Sequence, residues 1–205
     1  MIWCRRLMTL VAAVLLAVVY PTWASAVTKA PTQKELRARL LTVSNLPIGW
    51  SVDNQPASGG ETLFPCLASF EEPKDEHFVS VTTQFQDGPV PVFAERLTSS
   101  GSRVSGLFSS AVRALNRCRS VKLNGQHGSI GRMSFPLVGS ASAAYAASFT
   151  YEGTPAGLDL IIFRLGIYEG LLVYVDAGTP KVGAVEALVD RAVAKIADAL
   201  APASP

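Results

Sequence analysis

Histidine occurs only twice in this sequence, at His77 and His127, and cysteine three times, at Cys4, Cys66 and Cys118. Neither histidine belongs to an HExxH-like pattern and no two cysteines stand at CxxC spacing, so neither a metal centre nor any other cofactor is expected. Serine is plentiful, yet Gly139-Ser140-Ala141-Ser142-Ala143 departs from GxSxG at its last position and leads into a strand, which excludes a nucleophile elbow. Gly125 to Gly131 could offer backbone amides to an anion, but it reads as a flexible connection between strands and lacks the helix start that phosphate loops use. No catalytic residue is assigned and no enzyme is expected. A divergent hydrolase assembled from scattered serine, histidine and carboxylate groups is the lesser alternative.

Aromatic residues make up 8% of the chain and charged residues 17%, while 49% is hydrophobic, a composition that forms a core and excludes wholly disordered and collagen-like classes. Long apolar runs are also scarce. The one at the start follows Arg5 and Arg6, extends from Leu7 to Val19, and is closed by Pro21 and the small-x-small group Ala24-Ser25-Ala26. That pattern predicts a cleavable signal peptide over 1–26, cut after Ala26, and membrane contact only through it before cleavage. Interrupted by Thr9 and shorter than about 20 residues, the run fits a retained anchor less well. The remaining 27–205 is read as a single domain.

The formal charge of +2 resides in Arg5 and Arg6, so the mature chain balances its acids and bases. Nonspecific nucleic-acid binding, which needs a cationic surface, is therefore not expected. Within that balance the charges are divided. Residues 53–95 hold eight acids and one base, and residues 96–151 hold seven bases and no acid. Arg113, Arg117 and Arg119 from the second block form a candidate interaction surface for an anionic envelope component. The bland alternative is internal complementarity between the two blocks.

Export leaves Cys66 and Cys118 in an oxidising compartment, where an even count predicts one disulfide; a reactive or metal-binding thiol is the competing reading. Thr32 and Glu35 fit a capping box that opens a helix over about 32–44. Residues 53–75 carry five proline and glycine breakers and read as an irregular loop tethered at Cys66. Alternation predicts strands near 78–85 and 91–98, around an Asp87-Gly88-Pro89 turn. Val104, Leu107, Phe108, Ala111, Val112 and Leu115 form one face of a helix ending at Cys118. Strands near 120–124, 129–135, 143–151, 158–164 and 170–176 follow, their short connections implying antiparallel pairing. The stretch from Leu158 to Phe163 is apolar on nearly both faces and reads as central, with Leu171 to Val175 as its partner. Val182, Val185, Val189, Val193, Ile196 and Leu200 make the apolar stripe of a closing helix. The expected fold class is α+β, an antiparallel β-sheet with about three helices packed against it and one disulfide.

Leu46-Pro47-Ile48-Gly49-Trp50, Cys66 in a loop, Asn116-Arg117-Cys118 closing a helix, and two late strands before Val182 to Leu200 together resemble the extracytoplasmic sensor domain of mycobacterial PknH-type receptor kinases and related exported actinobacterial proteins. The resemblance covers about residues 40–200. It implies an antiparallel sheet with helices against it and a cleft proposed to accept a ligand. Sensors of that family commonly hold two disulfides, whereas this chain can form one. A kinase or membrane-spanning segment after Pro205 is not expected, and a free-standing binding or scaffold relative is. The tyrosines Tyr145, Tyr151 and Tyr174 on the late strands are candidate ligand-binding residues.

The expected function is that of a secreted, noncatalytic cell-envelope protein binding a small amphipathic or anionic ligand between sheet and helices. An interaction protein docking on an envelope protein or other component through its basic surface is the alternative. The mature chain should begin at Val27. Intact-mass measurement of protein recovered after export checks this, and a mass retaining residues 1–26 would overturn it.

Overall fold

The computed structural model describes residues 31–53, 64–67, 78–123, 126–151 and 153–200, without the side chains of Leu123 and Tyr151. Eight strands form one sheet in the order β1-β2-β3-β8-β7-β6-β5-β4. They are β1 (Ser51–Val52), β2 (Val79–Gln86), β3 (Val92–Ser99), β4 (Ser120–Leu123), β5 (Gln126–Arg132), β6 (Ala141–Tyr151), β7 (Thr154–Leu165) and β8 (Tyr168–Ala177). Every neighbouring pair of strands is antiparallel. Three helices, α1 (Gln33–Arg39), α2 (Val104–Arg117) and α3 (Val182–Asp198), complete the α+β architecture.

Topology dictates where the helices lie. The β2–β3 hairpin joins the rest of the sheet through the long-range pairing of β3 with β8, in register from Val92↔Val175 to Ser99↔Tyr168. Strand β4 occupies the far edge, so the chain leaving β3 must cross one face of the sheet to reach it. Helix α2 makes that crossing and buries Val104, Phe108, Ala111 and Leu115. The opposite face receives α1 and α3, the latter burying Val185, Leu188, Val189, Ala192 and Ile196. Each large aliphatic side chain so buried contributes about 1.5–3 kcal/mol.

Strand β7 is central, as its composition predicts. Its Leu158, Leu160 and Ile162 join the α2-side core, and its Ile161 and Phe163 join the core under α1 and α3. The Phe163 ring lies across Gly170 of β8, its register partner, where a Cβ would collide with the ring.

Three boundaries depart from the sequence reading. The capping box is present, with the Glu35 amide donating to Thr32 Oγ1 at 3.2 Å and the Thr32 amide to Glu35 Oε2 at 2.6 Å. The helix nevertheless ends at Arg39 rather than near 44. Leu40 turns extended and is buried with Leu41, and Thr42 begins a separate 3-10 turn over Val43–Asn45 with its amide donating to Asn45 Oδ1 at 2.9 Å. Here local side-chain hydrogen bonds and core packing outweigh helical continuation. Strand β5 spans Gln126–Arg132, so most of the segment from Gly125 to Gly131 is strand and not a flexible connection. Its Gly128 is required by close approach: a Cβ there would meet the Ser148 carbonyl oxygen and stand 2.7 Å from Phe149 Cβ. The two-residue β1 is too short to register as alternation in sequence.

Cys66 and Cys118 form the expected disulfide, with a Cα–Cα distance of 5.3 Å across 52 positions of sequence. It fastens the 3-10 turn Pro65–Leu67 to the residue that ends α2. Residues 1–26, including Ala24 and Ala26, and much of the 53–75 stretch expected to be a loop lie outside the described residues.

Closing a loop of that length restricts the unfolded chain by about 4 kcal/mol in the chain-entropy account. Replacing Cys66 and Cys118 together with alanine should lower the unfolding free energy by about 2–4 kcal/mol in urea titrations. An unchanged midpoint and slope would contradict this.

Candidate functional site

The sheet face beneath α2 is mostly apolar, but near the β3–β8 seam it carries a group of polar side chains. Strand alternation sends Arg96 and Thr98 of β3, Ser80 of β2 and Glu169 of β8 toward the same face. Thr98 is the register partner of both Ser80 and Glu169. Arg96 Nε donates to Ser80 Oγ at 2.8 Å, and the Ser80 and Thr98 hydroxyls are 3.3 Å apart.

A cavity of about 70 Å³ separates this group from the helix. Its apolar wall comes from Leu67, Phe78, Leu107, Ala111, Leu115, Ile162 and Leu171, and Arg96, Thr98 and Glu169 supply its polar part. Leu67 directly follows Cys66, so the disulfide places one wall of the cavity as well as the end of α2. Since one water needs about 10–15 Å³ on such a measure, the space suits a group of a few heavy atoms.

The electrostatics are those of two opposite charges that attract each other short of water. Burial pushes the Glu169 carboxyl up to about 7, against the attraction of Arg96. Burial also lowers Arg96 from its usual value, while Glu169 opposes that shift. Glu169 Oε2 is buried with no hydrogen-bond partner. A small apolar enclosure with hydroxyls, a guanidinium and an under-satisfied carboxyl can bind a polar headgroup attached to an apolar body. Among the described residues its lining contains no histidine to serve as an acyl-transfer base.

A second buried acid lies on the other face. Glu95 of β3 accepts from the Leu41 amide at 2.7 Å beneath α1 and α3, and Lys195 of α3 attracts it. Burial outweighs both effects and raises it to about 7, and Oε1 has no partner. Lys195 also donates to the Leu40 carbonyl, and Arg191 Nη1 donates to the Asn45 carbonyl at 2.8 Å, fixing α3 to the 40–45 segment. Asp159 of β7, also buried, is raised to about 6. A shallow open groove of about 440 Å³ lies along β5 and β6, lined by His127, Gly128, Ser129, Ser148, Phe149 and Thr150.

Two of the candidate tyrosines, Tyr145 and Tyr174, lie on opposite faces of the sheet. Tyr145 belongs to the α2-side core, and its hydroxyl donates to Asn116 Oδ1 at 2.9 Å, clamping the helix. Tyr174 belongs to the core on the opposite face, 6.4 Å from the Trp50 ring, so the two cannot line one cleft. Its hydroxyl is pushed up to about 12, first by burial and then by Asp176 and more distant carboxylates. Tyr151 ends β6, and its side chain lies outside the described residues, as does His77. Arg113, Arg117 and Arg119 are exposed around the end of α2. Arg113 donates to Ser110 Oγ at 2.8 Å, and Arg119 donates to the Asn116 and Cys118 carbonyls at 3.0 Å each.

Arg96 and Glu169 were not singled out by the sequence. Glu169 sits beside Gly170 and reads as turn, and the period-2 phase it shares with Leu171, Val173 and Val175 was the available signal that it faces inward. Among the described residues no cluster of three or more metal-ligating side chains occurs, and no helix is long and apolar enough to cross a membrane.

An eight-stranded antiparallel sheet, helices on both faces and a disulfide at the end of the crossover helix define an α+β domain. The fold is similar to the extracellular domain of PknH from Mycobacterium tuberculosis, with a TM-score of 0.57 over 82% of this chain and 98% of that one. Identity between the two is 9%, so the likeness is one of fold. No protein-family model matches the sequence, nor does any curated protein.

Glu95, Asp159 and Glu169 each hold a proton more tightly in the folded chain than at their ordinary values of 4.5, 3.8 and 4.5. Their stabilising contribution is complete below those values and is lost as pH rises through about 6 for Asp159 and about 7 for the two glutamates. The melting temperature should therefore fall between pH 5 and pH 8, and Glu95→Gln should flatten the decline. A melting temperature that climbs over this interval would refute the assignment.

Proposed function

We propose that this protein is a noncatalytic, exported cell-envelope binding protein, and that its ligand is a small amphipathic or anionic molecule held between α2 and the sheet. The observation that carries this reading is the apolar-walled cavity with Arg96 and Glu169 in its lining and one carboxyl oxygen of Glu169 unpartnered. Export is supported by the leader pattern of residues 1–26 and by the disulfide, which persists in oxidising compartments. The similarity of fold to an extracellular domain agrees with that placement. The cavity is below the usual 300–1,000 Å³ of small-molecule pockets, so it takes a headgroup and its first carbons rather than a bulky ligand.

Docking on another envelope component through Arg113, Arg117 and Arg119 is the second reading, supported by their exposure. Arg113 and Arg119 direct donors to oxygens on or next to α2, as basic groups near a helix end commonly do, which gives them a structural role as well.

The test is a titration of methyl-labelled, export-matured protein with six-carbon amphiphiles bearing a carboxylate, a hydroxyl or an ammonium head. At least one should shift the methyl resonances of Leu107, Ile162 and Leu171. Silence of these signals toward all three heads up to millimolar concentration would sink the binding reading.

A further inference from the structure

Resting on that reading, we propose that the cavity selects a carboxylate-headed amphiphile by partner exchange on Arg96: the ligand carboxylate takes the place of Glu169 beside the guanidinium, and Glu169 takes up one proton from solvent. The only covalent bond formed is the O–H bond on Glu169, and its proton comes from water-exposed buffer. The charge of the cavity is conserved, since one carboxylate replaces another.

Charge conservation is what makes the exchange necessary. Entry of an anion beside an ionised Glu169 would leave two negative groups sharing Arg96 in an apolar enclosure, where an uncompensated charge is strongly disfavoured. Glu169 is suited to give way. Its Oε2 accepts no hydrogen bond, and burial already holds the carboxyl near the point of protonation at neutral pH. Once protonated, it gains an O–H donor that can serve the incoming carboxylate. Arg96 can remain in place throughout, because Nε is anchored on Ser80 Oγ at 2.8 Å.

Among the described residues the charged neighbours of Glu169 are few. Arg96 comes from β3, and Arg164 of β7 is the register partner of Glu169, with its Nε donating to Ser140 Oγ at 3.2 Å. Helix α2 brings Leu107, Ala111 and Leu115 to the cavity and no charge. Among the described residues of the lining, one guanidinium and one displaceable acid favour a monoanionic head over a cationic one, and the volume restricts what enters to that head and a short stretch of chain.

The experiment uses hexanoate and hexan-1-ol on the export-matured full chain with its disulfide intact, read by the same cavity methyl signals at pH 6 and pH 8. Hexanoate is ionised at both values, so any pH dependence belongs to the protein. With Glu169 titrating at about 7, hexanoate should bind about tenfold more tightly at pH 6 than at pH 8. Calorimetry in buffers of different ionisation enthalpy should show uptake approaching one proton per hexanoate at pH 8. Glu169→Gln, a neutral isostere, should bind hexanoate equally at both pH values and at least as tightly as wild type at pH 6. Equal hexanoate affinity at the two pH values with no proton uptake by wild type would overturn the exchange. Binding of hexan-1-ol without hexanoate would also overturn it while leaving the binding reading intact. Failure of both probes to move the cavity signals would end both proposals together.

Discussion

The pairing of β3 with β8 is the constraint on which the rest of this structure depends. It joins residues from 69 to 83 positions apart and inserts the last strand beside the first hairpin, so that the sheet is complete only when nearly the whole described chain is in place. Such non-local closure is entropically expensive and is offset by burial on both faces. It also fixes the helices. With β4 at the far edge, α2 must cross one face, and the segment after the central β8 can return over the other as α3.

The same seam builds the polar features of the interior. Arg96 and Glu169 face α2 from adjacent strands, whereas Glu95, one residue from Arg96, points under α1 and α3. Alternation along a single strand thus places an acid in one core and a base in the other. The two glutamates play different parts. Glu95 accepts the Leu41 amide and is attracted by Lys195, tying the early segment and the closing helix to the sheet. Both have one oxygen with no partner, but only Glu169 has a cavity in front of it. The disulfide connects this interior to the Pro65–Leu67 turn by setting Leu67 against the cavity and holding the end of α2.

Much of the fold was legible along the chain because the signals are local. The stripes of α2 and α3, the Thr32–Glu35 box, the central apolar run of β7 and the pairing of Cys66 with Cys118 all correspond to observed elements. Boundaries were less legible where local chemistry competed, as at Leu40, or where glycine served strand contact rather than a turn, as at Gly128. Tyr145 illustrates the limit for sites. Its aromatic body and polar tip suggested a cleft, yet its hydroxyl is taken by Asn116 on α2, 29 positions earlier.

By itself the sequence determined the antiparallel α+β class, the amphipathic faces and the covalent link, since periodicity and cysteine count need no knowledge of distant neighbours. Only the tertiary structure decided that Arg96 and Glu169 share a cavity and that Tyr145 and Tyr174 do not. Period-2 alternation says that side chains take opposite sides of a strand. Which side meets which helix is fixed by strand order and register, and these arise from pairings between segments far apart in the chain.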